Sequence, residues 1–130
     1  MITENIKRFI EGVEYAFVAS ADAHGCPHLA AGQGLRSPDP GHLVFEAWFC
    51  HTTLQNLEGN PSIAIAVADP VSGNGYQFIG RIERSEEASV LDGYAPDVEI
   101  PGMPQVKSRL YVSVEKIMDF SAGRHTDQPL

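Results

Sequence analysis

Cysteine is scarce in this chain of 130 residues, which contains only Cys26 and Cys50. Two cysteines cannot build the disulfide framework that stabilises small secreted domains. The first residues also lack the apolar stretch of a signal peptide, and no later apolar run is long enough to cross a bilayer. These absences predict a cytoplasmic protein with free thiols and no membrane partner.

Basic residues are also few, with nine Lys and Arg against 17 Asp and Glu, which gives a net charge of −8. Proteins that bind nucleic acid or anionic membranes need clustered positive charge. We therefore expect neither of them as a partner. A small phosphorylated ligand is compatible with this charge, because surface charges more than about 8 Å away are screened at physiological salt.

The chain has the length of one domain, residues 1–130, and 43% of its residues are hydrophobic, enough for a core. Aromatic, β-branched and alternating apolar residues separated by turn signals predict six strands. They cover residues 15–21, 27–36, 42–49, 62–69, 76–85 and 108–120. Short spacing between most of them predicts a mainly β protein built as an antiparallel barrel. Residues 121–130 are polar and are expected to form a loose tail.

Two or three short helices accompany the predicted strands. Residues 3–11 have apolar residues at helical spacing after a potential cap at Thr3. A second helix is expected to begin at Thr52, with Gln55 completing a capping box, and to end at Gly59. A third short helix could cover residues 86–91, followed by an irregular excursion rich in Pro and Gly over residues 92–106.

The start of the second helix brings together polar groups that suit an anion. His51, Thr52 and Thr53 supply an imidazole and two hydroxyls where the backbone N–H groups of a helix lack internal partners. A phosphate could bind there. Alternatively, Thr52 only caps the helix, as most such residues do.

The second predicted strand is unusual because its middle has almost no side chains. Ala30, Ala31, Gly32 and Gly34 are poor strand formers. Either a bulge lies here, or something flat approaches this backbone closely, or the strand turns a barrel corner. The residues alone leave these alternatives open.

Two further constellations are weak. His24, Cys26 and His28 could bind a metal, but the intervening turn residues argue against a shared face, so we predict no metal site. Cys50 and His51 are neighbours whose side chains would point apart in a strand, which disfavours a nucleophile pair, and no catalytic residue is assigned. Glu46 is expected to point to solvent.

The order of several motifs resembles that of the FMN-binding split β-barrel proteins related to pyridoxamine 5′-phosphate oxidase, in particular their small bacterial FMN-binding members. The matching segments are residues 24–29 (HGCPHL), residues 50–57 (CHTTLQNL) with Asn60-Pro61, residues 67–69, residues 78–82 (FIGRI) and residues 110–117. The resemblance covers about residues 5–120, nearly the whole chain. The resemblance implies a six-stranded split barrel that forms a homodimer.

The resemblance also implies an FMN-binding flavoprotein, an oxidoreductase or electron carrier with an unknown small-molecule or protein redox partner. The cofactor-binding residues that the resemblance implies are Ala31, Gly32, Gln33, Trp48, Cys50, His51, Thr52, Thr53 and Gln77. Relatives often carry Lys or Arg in the phosphate segment, whereas residues 51–53 here have none. An alternative is therefore a non-enzymatic module that binds flavin or haem, or a structural dimer that has lost FMN.

Overall fold

The described residues form a single antiparallel sheet with two helices. The structure, a computed structural model, describes residues 1–87 and 105–130, with the backbone alone for residues 48–50, 105 and 106. The elements are α1 (Glu4–Gly12), β1 (Ala16–Ala21), β2 (Pro27–Gly32), β3 (Leu35–Asp39), β4 (His42–Cys50), α2 (His51–Gly59), β5 (Ser62–Ala68), β6 (Gly75–Glu87) and β7 (Gln105–Asp119). The mainly β, antiparallel prediction is confirmed.

The sheet has seven strands in the order β2-β1-β5-β6-β7-β4-β3, so the predicted count of six is wrong. The predicted strand over residues 27–36 is two strands, because Gly34 has a φ of 81° and breaks the extended chain. After this break the chain changes partner: β2 pairs with β1, whereas β3 pairs with β4. Strands β2 and β3 are the two edges, so the sheet is not closed across the described residues.

The sheet curls until β2 meets β4 across the interior. A Cβ built on Gly32 would lie 2.7 Å from Cβ of Ala47 and 2.8 Å from the ring of Phe45. Phe45 is fully buried in the core with residues from every strand except β2. The bare backbone of β2 at Gly32 is therefore required for the sheet to curl, because any side chain there would collide with the core.

Helix α1 covers one end of this core, as predicted. The Thr3 hydroxyl accepts a hydrogen bond of 3.2 Å from the amide of Ile6, which caps the helix. Ile6 and Ile10 are buried one turn apart on the inward face. Neither α1 nor α2, each nine residues long, could span a bilayer.

The C-terminal half departs from the predicted boundaries. Strand β6 continues through Glu87, so the helix predicted to begin at residue 86 is wrong there, and residues 88–91 lie outside the described part. The predicted excursion also lies outside it, except Gln105 and Val106, which belong to β7. Beyond β7 the chain turns back, and the amide of Leu130 donates a hydrogen bond of 2.8 Å to the carbonyl of Ile117.

Strands β6 and β7 change register twice. The first shift lies between Ile79 and Gly80, where Glu115 of β7 is skipped, and the second lies at Glu83 of β6. A Cβ on Gly80 would collide with the carbonyl of Ser113, so glycine is needed at the first irregularity. Such bulges redirect side chains and increase twist.

Candidate functional site

The proposed phosphate-binding segment lies at the first turn of α2, which begins one residue earlier than predicted. The helix starts at His51, directly after β4, so Thr52 is inside the first turn and the predicted capping box with Gln55 is not formed as such. His51 and Thr52 are exposed, whereas Thr53 is fully buried. Thr53 points inward because it shares one helical face with the buried side chains of Asn56 and Leu57.

Two polar contacts fasten α2 to the first two strands. The hydroxyl of Thr53 forms a hydrogen bond of 3.3 Å with Nδ1 of His28, and the side-chain amide of Asn56 donates one of 3.2 Å to the hydroxyl of Ser20. Ser20 and His28 are direct partners in the pairing of β1 with β2. Thr53 and Asn56 are three residues apart and so lie on one helical face.

We call these four residues the polar lock. Three of its members, Ser20, Thr53 and Asn56, are buried, so each contact is expensive to break. The lock fixes both the rotation and the axial position of α2 on the sheet. The backbone N–H groups of the first turn are held at one place beside β2 as a result. Sequence reasoning missed Ser20 and Asn56, because a contact between residues 36 positions apart leaves no local pattern.

The predicted site residues on β2 separate in the structure. Gly32 faces the core against Phe45 and Ala47, as described above, so its inward side is filled by the protein itself. Ala31 is exposed on the opposite face, and Gln33 is exposed in the bend between β2 and β3. The bare backbone at Gly32 is explained by the close approach of the protein's own core.

Gln77 is on the same outward face as Ala31 but far along the sheet. The cross-strand partners run Ala31, Phe17, Ala66 and Gln77, so β1 and β5 separate the two predicted residues. Trp48 and Cys50 lie in β4, and their side chains are outside the described part of the structure. The structure thus brings His51, Thr52 and Thr53 together and places Gln77 elsewhere.

Gln77 lines a shallow apolar groove of about 330 Å³ on this outward face. Ala19, Ala64 and Ala66 line it together with the larger side chains of Phe17, Leu29 and Phe120. Leu29 is 67% exposed, Phe120 44% and Phe17 38%. Large apolar side chains that surround a floor of small ones form a surface suited to contact with another apolar surface.

In contrast to the apolar groove, the outward face of the neighbouring strands β4, β7 and β6 carries a network of charged side chains. Glu46 accepts hydrogen bonds from Arg109 at 2.7 Å from Nε and 2.6 Å from Nη2, and Nζ of Lys107 is 3.9 Å from it. The guanidinium of Arg84 lies 3.8 Å over the ring of Tyr111, whose hydroxyl donates to Glu86. Glu46 thus lies on the outward face but is ion-paired, which the sequence did not predict.

The network raises the pKa of both arginines. The hydrogen bond to Glu46 raises the pKa of Arg109, and the contact with the Tyr111 hydroxyl raises that of Arg84. Both arginines are therefore held by other side chains of the protein. Among the described residues, the first turn of α2 has no Asp, Glu, Lys or Arg. An anion bound there would depend on backbone N–H groups and neutral side chains.

No metal centre emerges from the described residues, since none of them form a group of three or more His, Cys, Asp and Glu that could hold an ion. Cys26 is exposed with a free thiol in the turn between β1 and β2. Asp22 organises this turn by accepting hydrogen bonds from the amides of His24 and Cys26.

Comparison with known proteins agrees with the fold. The family model of pyridoxamine 5′-phosphate oxidase matches residues 2–115. No curated protein matches the chain. Among solved structures, HupZ of Group A Streptococcus is 26% identical, covers 97% of this chain and 99% of its own, and superposes with a TM-score of 0.71.

Two more distant structures share the fold and carry informative names. An FMN-binding protein of Syntrophomonas wolfei is 13% identical, with 91% of this chain and 85% of that chain covered and a TM-score of 0.67. HutZ, the haem storage protein of Vibrio cholerae, is 15% identical, with 90% and 93% covered and a TM-score of 0.58. At these identities the likeness concerns the fold alone.

Proposed function

The chain belongs to the pyridoxamine 5′-phosphate oxidase family, and on that premise we propose that it is a homodimeric FMN-binding flavoprotein, an oxidoreductase or electron carrier. The observation that carries the proposal is the first turn of α2, which is held by the polar lock and leaves His51 and Thr52 exposed. Free N–H groups at a fixed helix start suit a phosphate group.

The residues present fit the phosphate of FMN through neutral donors. His51 and Thr52 would contact the phosphate, while Thr53 would hold the helix in place through His28. Ala31 and Gln33 are exposed on the neighbouring strand and bend, where the flavin ring would lie and Gln33 could hydrogen-bond its polar edge. When bound, the flavin supplies the redox chemistry, and the protein supplies position and electrostatics. Gln77, Trp48 and Cys50 stay predictions.

Binding of the phosphate at the start of α2 can be tested by substitutions of Thr52. Thr52→Lys adds the cation that residues 51–53 lack, and charge-assisted hydrogen bonds are about twice as strong as neutral ones. We expect this variant to bind FMN about tenfold more tightly, since 1.4 kcal/mol is a factor of ten. Thr52→Ala should weaken FMN binding about fivefold, as loss of one neutral hydrogen bond does. Quenching of flavin fluorescence measures both.

Riboflavin and Gln55→Lys are the matched controls. Riboflavin has the same ring without the phosphate, so neither Thr52 variant should change its affinity. Gln55 is exposed one turn further along α2, and a lysine there should help FMN less. Equal effects of Thr52→Lys on FMN and riboflavin would place the phosphate elsewhere.

We propose the apolar groove as the surface between the two subunits. It combines exposed Phe17, Leu29 and Phe120 with a floor of alanines, and buried apolar area is what stabilises obligate dimers. Leu29→Glu should shift the protein from dimer to monomer in sedimentation velocity. Val71→Glu is the control, because Val71 is equally apolar and 94% exposed but lies outside the groove. A wild-type monomer at all accessible concentrations would refute the dimer.

A ligand-binding role without turnover is the second candidate. It is favoured by the absence of Lys and Arg from the first turn of α2, because without them the phosphate of FMN would be bound less tightly. The relevant likeness is to a haem storage protein of the same fold. The visible spectrum of the purified protein separates the two, since flavin and haem absorb at different wavelengths. Oxidation of a reduced nicotinamide by the FMN-loaded protein would establish an enzyme, and stable binding without turnover would favour the second candidate.

A further inference from the structure

The imidazole of His42 lies between two carboxylates at the start of β4. Its Nδ1 is 2.8 and 3.1 Å from the two oxygens of Asp39, and its Nε2 is 3.0 Å from Oε1 of Glu83. A neutral imidazole has one N–H donor, whereas the imidazolium has two. Both contacts can therefore be hydrogen bonds only when His42 is protonated.

Glu83 reaches His42 because it is the extra residue of a bulge. In the pairing of β6 with β7, Ile82 faces Val112 and Arg84 faces Tyr111, which leaves Glu83 without a partner in the ladder. Strand β7 lies between β6 and β4, so the contact crosses a whole strand. Bulges commonly redirect a side chain in this way.

The turn that carries Asp39 and His42 is hydrogen-bonded to two other parts of the molecule. The carbonyl of Pro40 accepts a hydrogen bond of 2.9 Å from the amide of Ile2, and that of Gly41 accepts one of 2.9 Å from Val114 of β7. Ile2 is buried at the end of the core that α1 covers. A change in the turn would therefore be felt by the N-terminal segment and by β7.

We propose that Asp39, His42 and Glu83 form a pH-dependent clasp, which fastens the β3–β4 turn to β6 while His42 is protonated and loosens as the pH rises above neutral. The loosened state releases the hydrogen bonds that the turn accepts from Ile2 and Val114. The clasp is a property of the fold and requires no bound ligand. It would thus operate whether or not the protein binds FMN.

The pKa shifts of His42 and Asp39 agree with a clasp that loosens as the pH rises above neutral. The hydrogen bond to Asp39, followed by that to Glu83, raises the pKa of His42 above its ordinary 6.5, and the bond from His42 lowers the pKa of Asp39 below its ordinary 3.8. A raised His pKa contributes stability that is complete below pH 6.5 and is lost as the pH rises through the folded value. A lowered Asp pKa contributes stability above pH 3.8 that is lost in acid.

Other ionisable groups surround the hollow in which His42 lies. They are Arg36 of β3, Tyr111 of β7 and, next to Glu83 on β6, Arg84. Arg84 is turned onto the ring of Tyr111, 3.8 Å from its centroid, and pairs with Glu86. The carboxylates of Asp39 and Glu83 are the groups in direct contact with the imidazole.

The test combines titration of His42 with hydrogen exchange at the junction. In an NMR titration, we expect the ring of His42 to titrate above the ordinary histidine pKa of 6.5 and at lower pH in Glu83→Gln than in wild type. Protection of the Ile2 and Val114 amides, corrected for intrinsic exchange, should fall about threefold between pH 6 and 8, the scale expected of exposed ion pairs. In Glu83→Gln the fall should be smaller.

Glu87→Gln is the matched control, since Glu87 is exposed on the same strand and should leave the titration of His42 and the protection of both amides unchanged. Both glutamates are exposed, so folding of the variants is not at risk. An unchanged titration of His42 in Glu83→Gln would overturn the proposal, as would protection of Ile2 and Val114 that does not depend on pH.

Discussion

Asn56 of α2 donates a hydrogen bond to Ser20 of β1, and both side chains are buried. The contact joins two residues 36 positions apart in the chain and fixes the helix whose first turn we propose as the phosphate site. It is one half of the polar lock, and Thr53 with His28 is the other. The position of the start of α2 is therefore set by buried polar groups and not by apolar packing alone.

Asn56→Ala should destabilise the protein by about 1–3 kcal/mol, because it leaves the buried hydroxyl of Ser20 without this partner. Urea unfolding measures the loss. The control Gln55→Ala changes an exposed neighbour on the same helix and should cost little. In a double-mutant cycle, Ser20→Ala with Asn56→Ala should cost less than the two single changes added together. Strict additivity would show that the two side chains do not interact.

Gly32→Ala should destabilise the protein by about 1–3 kcal/mol, since the added methyl group overpacks the contact with Phe45 and Ala47. Thermal or urea unfolding measures this. Ala47→Gly in the same chain should recover part of the loss by opening space at the nearer contact, which lies at 2.7 Å. Gly12→Ala is the control, because nothing lies within 4 Å of a Cβ there. A neutral Gly32→Ala would mean that β2 and β4 can separate freely.

Arg109→Met should destabilise the protein more than Lys116→Met on the same strand. Arg109 makes two short hydrogen bonds to Glu46, while Lys116 is exposed. The difference should shrink at about 1 M NaCl, where the screening length is only about 3 Å. Unfolding curves of both variants at low and high salt measure this difference. If the difference in stability does not depend on salt, Arg109 acts through the packing of its aliphatic stem.

Asp39→Asn should change the acid limb of the stability profile. The pKa of Asp39 is lowered by the hydrogen bond from His42 and next by that from the amide of Gly41, which lies 2.8 Å away. Its contribution is present above pH 3.8 and is lost as the pH falls through the folded value. The stability difference between wild type and Asp39→Asn should therefore narrow in urea unfolding as the pH falls below that value.

Asp127→Asn is the comparison for this experiment, because Asp127 is an exposed residue of the C-terminal tail. It should leave the acid limb unchanged. A stability difference for Asp39→Asn that stays constant into strong acid would show that the carboxylate charge does not stabilise the turn.

Local signals were sufficient for much of the fold. Thr3 and the apolar spacing behind it predicted α1 correctly, and the alternation of Ile63, Ile65 and Val67 with alanines predicted β5. These elements follow from neighbouring residues. The break at Gly34 was missed because glycine is also tolerated within a strand, and only the change of partner from β1 to β4 shows that the chain has left one edge for the other.

The candidate site was predictable in its segment but not in its geometry. The polar character of residues 51–53 pointed to the helix start, yet the burial of Thr53 depends on its contact with His28 of β2, which lies 25 residues away in the chain. The role of Asp39 could have been suspected from its spacing to His42 across a turn. The approach of Glu83 could not, because it depends on a bulge in a strand that is two places away in the sheet.

The two irregularities between β6 and β7 cancel each other. Glu115 is the extra residue on one strand and Glu83 on the other, so the pairs before the first shift and after the second share one register, and the pairs between them are offset by a residue. Each glutamate has no partner in the ladder, so deleting it would join pairs that already face each other and would leave the register of the others unchanged. Without Glu115, the buried side chains of Val114 and Ile117 would simply alternate along β7. Either strand can therefore lose its extra residue without exchanging inward for outward side chains, whereas deletion of a paired residue such as Ile82 would shift every pair beyond it.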